Sequence, residues 1–160
     1  AQGPLESHLK QTASDLGLNL GQDILFTGAV PYETLVQVYY AADLFVFSSL
    51  TETQGLVLIE AMAAGLPVVA VRASGVQEMV DDGLDGILTG LDINELAGAI
   101  IKVLDDEKLY QFLKTNALLK ARAMSSESMA LKVEEVYESI LSKKFYRPHR
   151  FLDVSSWFSN

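Results

Sequence analysis

Residues 43–71 read DLFVFSSLTETQGLVLIEAMAAGLPVVAV: an apolar run, a polar break, a helix-length segment and a second apolar run. Asp43-Leu44-Phe45-Val46-Phe47-Ser48 has no polar alternation, the pattern of a parallel strand covered on both faces. Ser49 to Gln54 is polar and reads as a loop. Gly55 opens a helix that runs through Ala64, and Gly65 stops it. Pro67-Val68-Val69-Ala70-Val71 is then a short buried strand. A strand, a helix and a second strand in this order make a βαβ unit on a parallel sheet. The helix start at Gly55 therefore lies at the carboxyl edge of that sheet, where open α/β folds bind ligands. The amides of Gly55, Leu56 and Val57 have no helical acceptor, and with the helix dipole they favour a phosphate. Gly55 lets a ligand come close to the backbone.

Outward from this unit, Pro4 suits a first helical turn. Leu5, Leu9, Thr12/Ala13 and Leu16 recur at helical spacing up to a stop at Gly17. Asp23-Ile24-Leu25-Phe26-Thr27 reads as a strand ending at Gly28, and Pro31 opens a helix to about Ala42. Downstream, Ser74-Gly75 is a turn, Val76 to Val80 a short helix and Gly86-Ile87-Leu88-Thr89 a fourth strand. The rest is helical. Asp92 and Glu95 have the spacing of a capping box, with Leu96, Ile100, Val103 and Leu104 inward. Leu109, Phe112, Leu113 and Asn116 mark the next helix. Ser125 or Ser126 caps a third, with Met129, Val133, Val136, Tyr137 and Ile140 inward. The expected fold is α/β: a Rossmann-like parallel sheet with flanking helices. It divides into a domain over 1–142 and a basic, aromatic tail over 143–160.

Composition narrows the function. The 160 residues are 49% hydrophobic and 21% charged, ordinary for one globular domain. The absence of cysteine removes disulfides and thiolate zinc sites and fits a reducing cytoplasm. His8 and His149 are the only histidines, and there is no Asp-x-Asp, so no metal site is expected. A net charge of −9 argues against nucleic acid. An anion at the main body would need local backbone donors.

Two carboxylates frame the helix start. Glu52 lies in the loop, and Glu60 lies in the second turn, where side chains lean toward the N-terminus. A carboxylate accepts from two hydroxyls, and a sugar and a ribose both carry vicinal pairs. One carboxylate on each side of a diphosphate suits a nucleotide sugar. A lone Glu60 or Glu52 could equally be a helix-start or loop acid.

The wider series resembles the retaining glycosyltransferases of GT-B architecture, the glycosyl transferases group 1 family with its E-x7-E motif, and specifically their C-terminal donor-binding domain. Glu52 and Glu60 hold that spacing, and Glu60-Ala61-Met62-Ala63-x-Gly65-x-Pro67-Val68-Val69 matches beyond it. Gly3-Pro4, Phe26-x-Gly28, Tyr40-x-Ala42-Asp43, Ser74-Gly75-x-x-Glu78 and Asp82-Gly83-x-x-Gly86 follow in the family's order, over about residues 1–140. The resemblance implies that Glu60 holds the donor's ribose and Glu52, as the catalytic residue, holds hydroxyls of the transferred sugar. Gly55, Leu56 and Val57 would give amides to the diphosphate, with Gln54 beside them. Gly28, Ala29 and Val30 would lie beside the base. It also implies a UDP- or GDP-linked sugar donor, no cofactor and no metal. An N-terminal acceptor domain and a basic Arg/Lys pair would lie upstream of Ala1, so the chain is expected to be truncated there.

The chain departs from the pattern at Gln54-Gly55, where the family often has Phe-Gly, and at Ser74-Gly75, often Gly-Gly. Glu52-Thr53-Gln54-Gly55-Leu56 looks like members that glucosylate diacylglycerol, so glycolipid or polysaccharide synthesis is the expected setting. Glu78 is expected to brace its own helix, Arg72 to be a surface residue and His8 to be exposed. Lys143, Lys144, Arg147, His149 and Arg150 sit among Phe145, Tyr146, Phe151, Trp157 and Phe158. That tail suits peripheral contact with a membrane or a crossing to the N-terminal domain. Three rivals stay open: a non-catalytic nucleotide-sugar-binding subunit that needs a partner chain, a nucleotide-sugar epimerase and a flavodoxin-like binding domain.

Overall fold

The computed structural model describes residues 3–145, with side chains through Ser142. The elements run α1 (Glu6–Asp15), α2 (Tyr32–Ala41), β1 (Phe45–Phe47), α3 (Leu56–Ala63), β2 (Val68–Val71) and α4 (Ser74–Met79). They continue with β3 (Gly86–Thr89), α5 (Ile93–Asp105), α6 (Glu107–Ala123) and α7 (Ser126–Phe145). The three strands form one parallel sheet in the order β1-β2-β3. Phe45 pairs with Val68, and Val68 in turn with Gly86.

β2 is the centre because all four of its residues are buried. Its alternate side chains serve two cores. Val68 and Ala70 pack with Leu58 and Met62 of α3, Val76 of α4, Leu88 of β3 and Ala117 of α6. Val69 faces Val103 of α5 and Leu113 of α6. Each fully buried aliphatic side chain here contributes about 1.5–3 kcal/mol. A third cluster, Tyr39, Ala61 and Leu66, fastens α2 to α3.

Local chemistry sets the helix ends. Gly65, at φ +82°, closes α3. The Leu66 and Gly65 amides donate to the Ala61 and Met62 carbonyls at 3.1 and 2.9 Å, a pairing that satisfies two carbonyls of the last turn. Asp92 caps α5 by accepting from the Asn94 and Glu95 amides. Glu95 completes only half of the expected box, since its carboxylate accepts from Gly90 rather than from Asp92. Ser125, not Ser126, caps α7 by accepting from the Ser128 amide.

Several expectations are corrected. The segment 23–27 is not a strand, and three strands form among the described residues rather than four. Asn19 competes for its backbone. The Asn19 carbonyl accepts from the Gln22, Asp23 and Ile24 amides, and the Asp23 carboxylate accepts from Asn19. Such local bonds offer the chain an alternative to a ladder. β1 is shorter than expected and not covered on both faces, because it is an edge strand and Val46 is exposed. Ser74 and Gly75 form the first turn of α4 instead of a separate turn. Leu104 and Phe112 are exposed on α5 and α6. On α7, Met129, Val133, Val136, Tyr137 and Ile140 all face solvent. The apolar spacing is there, but no described element lies over that face. α7 runs on to Phe145, and the tail's membrane and interdomain readings concern residues outside those described.

Candidate functional site

The carboxyl end of β1 leads through a polar loop into α3, and the chemistry gathers at this junction. Gly55 is buried at φ +63°, a left-handed conformation that L side chains resist. A Cβ there would also stand 2.7 Å from Met79 Cγ. Gly75 approaches more closely still. A Cβ on it would lie 2.5 Å from the Glu52 carbonyl oxygen. The first turn of α4 is thus pressed against the backbone of the Glu52 loop, and only glycine permits it.

That packing fixes Glu52. Its Oε1 accepts from the amides of Thr53, Gln54 and Gly55 at 3.0, 3.1 and 2.9 Å. The Gly55 amide is the main reason its pKa is lowered. The Gly55 amide, expected for an incoming anion, is therefore held by the protein's own carboxylate in this structure. The amides of Leu56 and Val57 meet no acceptor among the described residues. Glu52 Oε2 likewise meets no donor among them. Gln54 is an exposed loop residue beside these amides.

Glu60 stands one turn above, on the Leu56 face of α3, because residues four apart share a helix face. The rise between them is about 6 Å. Glu60 is half-buried and lines a groove of about 670 Å³ between α2, α3 and the α6–α7 junction. Tyr32, Tyr39 and Tyr40 line its α2 side and Ser125 and Ser126 its far end. The Tyr39 hydroxyl donates to Glu60 Oε2 at 3.3 Å. Burial first, and then the Glu60 charge, push the Tyr39 pKa up to about 12.

The structure gathers Glu52, Gln54, Gly55, Leu56 and Val57 at one helix end, with Glu60 a turn above. Gly28, Ala29 and Val30 do not line the Glu60 groove. They join the segment 23–27 to α2, with Gly28 at φ +63°. Arg72 is an exposed residue paired with Asp82 at 2.6 Å, and His8 is exposed. The Glu78 side chain braces nothing: it is exposed and makes no hydrogen bond among the described residues. The sequence reading missed Tyr39 and the close approach of Gly75. Only the second had a signal, a glycine where a helix starts.

A family model described as "Glycosyl transferases group 1" matches residues 1–106. The chain belongs to this family. Among its curated relatives is D-inositol 3-phosphate glycosyltransferase of Corynebacterium kroppenstedtii, 39% identical over 132 residues. The match covers 81% of this chain and 29% of that protein. Alpha-monoglucosyldiacylglycerol synthase of Streptococcus pneumoniae is 30% identical over 156 residues, covering 91% and 32%. The crystal structure of HepE from Anabaena with UDP-glucose superposes with a TM-score of 0.71 at 29% identity, over 83% of this chain and 36% of that one. The chain thus spans less than a third of the first relative's length. The group 1 match and these neighbours identify the parallel sheet with its flanking helices as part of the GT-B fold, and the expected fold class holds.

Proposed function

We propose that this chain is the donor-binding domain of a glycosyltransferase that moves a sugar from a nucleotide diphosphate sugar to an acceptor hydroxyl, with retention at the anomeric carbon. The observation that carries this reading is the pair of open amides at Leu56 and Val57, one helical turn from Glu60 at the carboxyl edge of a parallel sheet. A diphosphate at those amides puts its ribose within reach of Glu60 and its sugar within reach of Glu52 Oε2. The two amides and the helix dipole stabilise charge that grows on the leaving diphosphate. Gly28, Ala29 and Val30 are assigned to the base, and the acceptor to an N-terminal domain. The proposed reaction needs neither metal nor cofactor, with the diphosphate paired to the Leu56 and Val57 amides and the ribose and sugar hydroxyls to Glu60 and Glu52. Among the described residues no helix is long and apolar enough to cross a membrane; peripheral contact with a membrane is part of the proposal.

The test is calorimetry with UDP-glucose and GDP-mannose on wild type and Glu60→Ala, beside a labelled-donor assay on the protein expressed from its full reading frame. Loss of a charge-assisted hydrogen bond should cost about 1–3 kcal/mol of donor affinity. Equal affinities would remove the ribose assignment. Conversion of the donor with no acceptor would favour the epimerase, and transfer only on adding a separately encoded chain would favour the binding subunit. Loss of donor binding in a chelator, restored by magnesium, would overturn metal independence.

A further inference from the structure

We infer that Tyr39 is a positioning residue that acts through Glu60, holding one carboxylate oxygen so that the other is presented to the vicinal hydroxyls of a ribose. The inference rests on the donor reading above. Tyr39 sits on α2, 21 residues before Glu60, and its hydroxyl donates to Glu60 Oε2. Its ring is buried, packs edge-on against Phe45 at 5.9 Å and belongs to the cluster with Ala61 and Leu66. The hydroxyl is therefore located by the sheet and by α3, not by the hydrogen bond alone. At 3.3 Å that bond is longer than the ~2.7 Å usual between oxygens, so packing does most of the placing.

The consequence lies in what remains open on Glu60. A carboxylate offers about four acceptor positions. Tyr39 takes one on Oε2, and Oε1 meets no donor among the described residues. A half-buried glutamate at the edge of a 670 Å³ groove would otherwise sample several rotamers, each costing orientation when a diol binds. The phenol stays protonated at every working pH, since its pKa lies near 12, and so it only donates to this carboxylate. Selectivity follows. A ribose supplies two hydroxyls to the open positions and a 2′-deoxyribose supplies one.

The experiment is a double-mutant cycle on the 160-residue chain. UDP and 2′-deoxy-UDP are titrated into wild type, Tyr39→Phe, Glu60→Gln and the double variant, with GDP and 2′-deoxy-GDP as a parallel pair. Phenylalanine keeps the ring against Phe45, so thermal unfolding should be nearly unchanged. The expected result is that Tyr39→Phe weakens the ribonucleotide about three- to tenfold. It should weaken the deoxynucleotide by less and add nothing in the Glu60→Gln background. Equal weakening of both nucleotides, undiminished effect in the double variant, or no effect beside a clear Glu60→Gln effect would each overturn the positioning role. A Glu60→Gln variant that binds both nucleotides as wild type does would instead sink the ribose assignment itself, and this inference with it.

Discussion

Replacing Gly75 with alanine tests how the Glu52 loop is held. The added Cβ would stand 2.5 Å from the Glu52 carbonyl oxygen, 2.9 Å from its carbon and 3.0 Å from the Thr53 carbonyl carbon. All three are backbone atoms, so no side-chain rotation relieves the contact. Ordinary van der Waals contact for a Cβ begins at 3.4 Å, so α4 and the loop must separate by most of an ångström. Gly75 and Val76 are buried, and Val76 belongs to the main core, so separation also loosens that core. Overpacking of this kind costs about 1–3 kcal/mol. For a chain of this size that lowers Tm by about 3–10 °C. The displaced loop carries Glu52 and the amides it holds, so donor affinity should fall together with stability. The assay is differential scanning fluorimetry with and without UDP-glucose, followed by urea unfolding. A Gly75→Ala chain with wild-type Tm and wild-type donor affinity would refute the argument that close packing positions this loop.

Gly98→Ala is the contrasting case. Gly98 lies inside α5 with nothing within 4 Å of an added Cβ, so alanine should stabilise the chain by about 0.5–1 kcal/mol; a lower Tm would count against the α5 assignment. Glu52 gives a pH signature. Its folded pKa is depressed below the ordinary 4.5, so the stability its amide contacts provide is full above about that pH and lost as pH falls through the lowered value. Glu52→Gln should flatten that acid-side loss in unfolding curves taken from pH 6 down to 3, and an unchanged slope would show that other carboxylates set it.

Much of the site is legible in sequence because punctuation fixes it. Gly55, Gly65 and Pro67 bound one helix between two apolar runs, and strand ends in a parallel sheet place ligands on one edge. What is not legible depends on partners. The segment 23–27 has strand composition, yet composition cannot say that the Asn19 carbonyl will take the Asp23 and Ile24 amides first. The apolar spacing of Met129, Val133 and Val136 says that α7 has a face to cover, and nothing in the spacing says whether an element lies over it. The Tyr39–Glu60 bond depends on how α2 leans on α3, a tertiary fact with no local motif. Gly75 was visible as a glycine but not as the point where α4 meets the Glu52 loop.

The charge balance at the helix end leads to a last prediction, on which anions the site accepts. The chain carries a net −9, with Glu52 at the helix end that bears the open amides and Glu60 one turn above. A phosphate charge about 7 Å from a carboxylate is repelled by about 0.6 kcal/mol in water and about 2.4 kcal/mol at an effective dielectric near 20. Two charge-assisted hydrogen bonds from Leu56 and Val57 return about 1.5–3 kcal/mol each, and the dipole about 0.3–1 kcal/mol. Attraction sums to about 3.3–7 kcal/mol and repulsion from two carboxylates to about 1.2–4.8 kcal/mol, so the carboxylates cancel much of what a bare anion gains. A nucleotide sugar differs because its ribose and sugar hydroxyls give Glu60 and Glu52 donors in place of a second anion. Inorganic pyrophosphate should therefore bind at least tenfold more weakly than UDP-glucose at equal ionic strength. Competition calorimetry decides it. Pyrophosphate that displaces UDP-glucose with matching affinity would mean that the amides alone supply the binding, and that the two carboxylates play no part in recognising the donor.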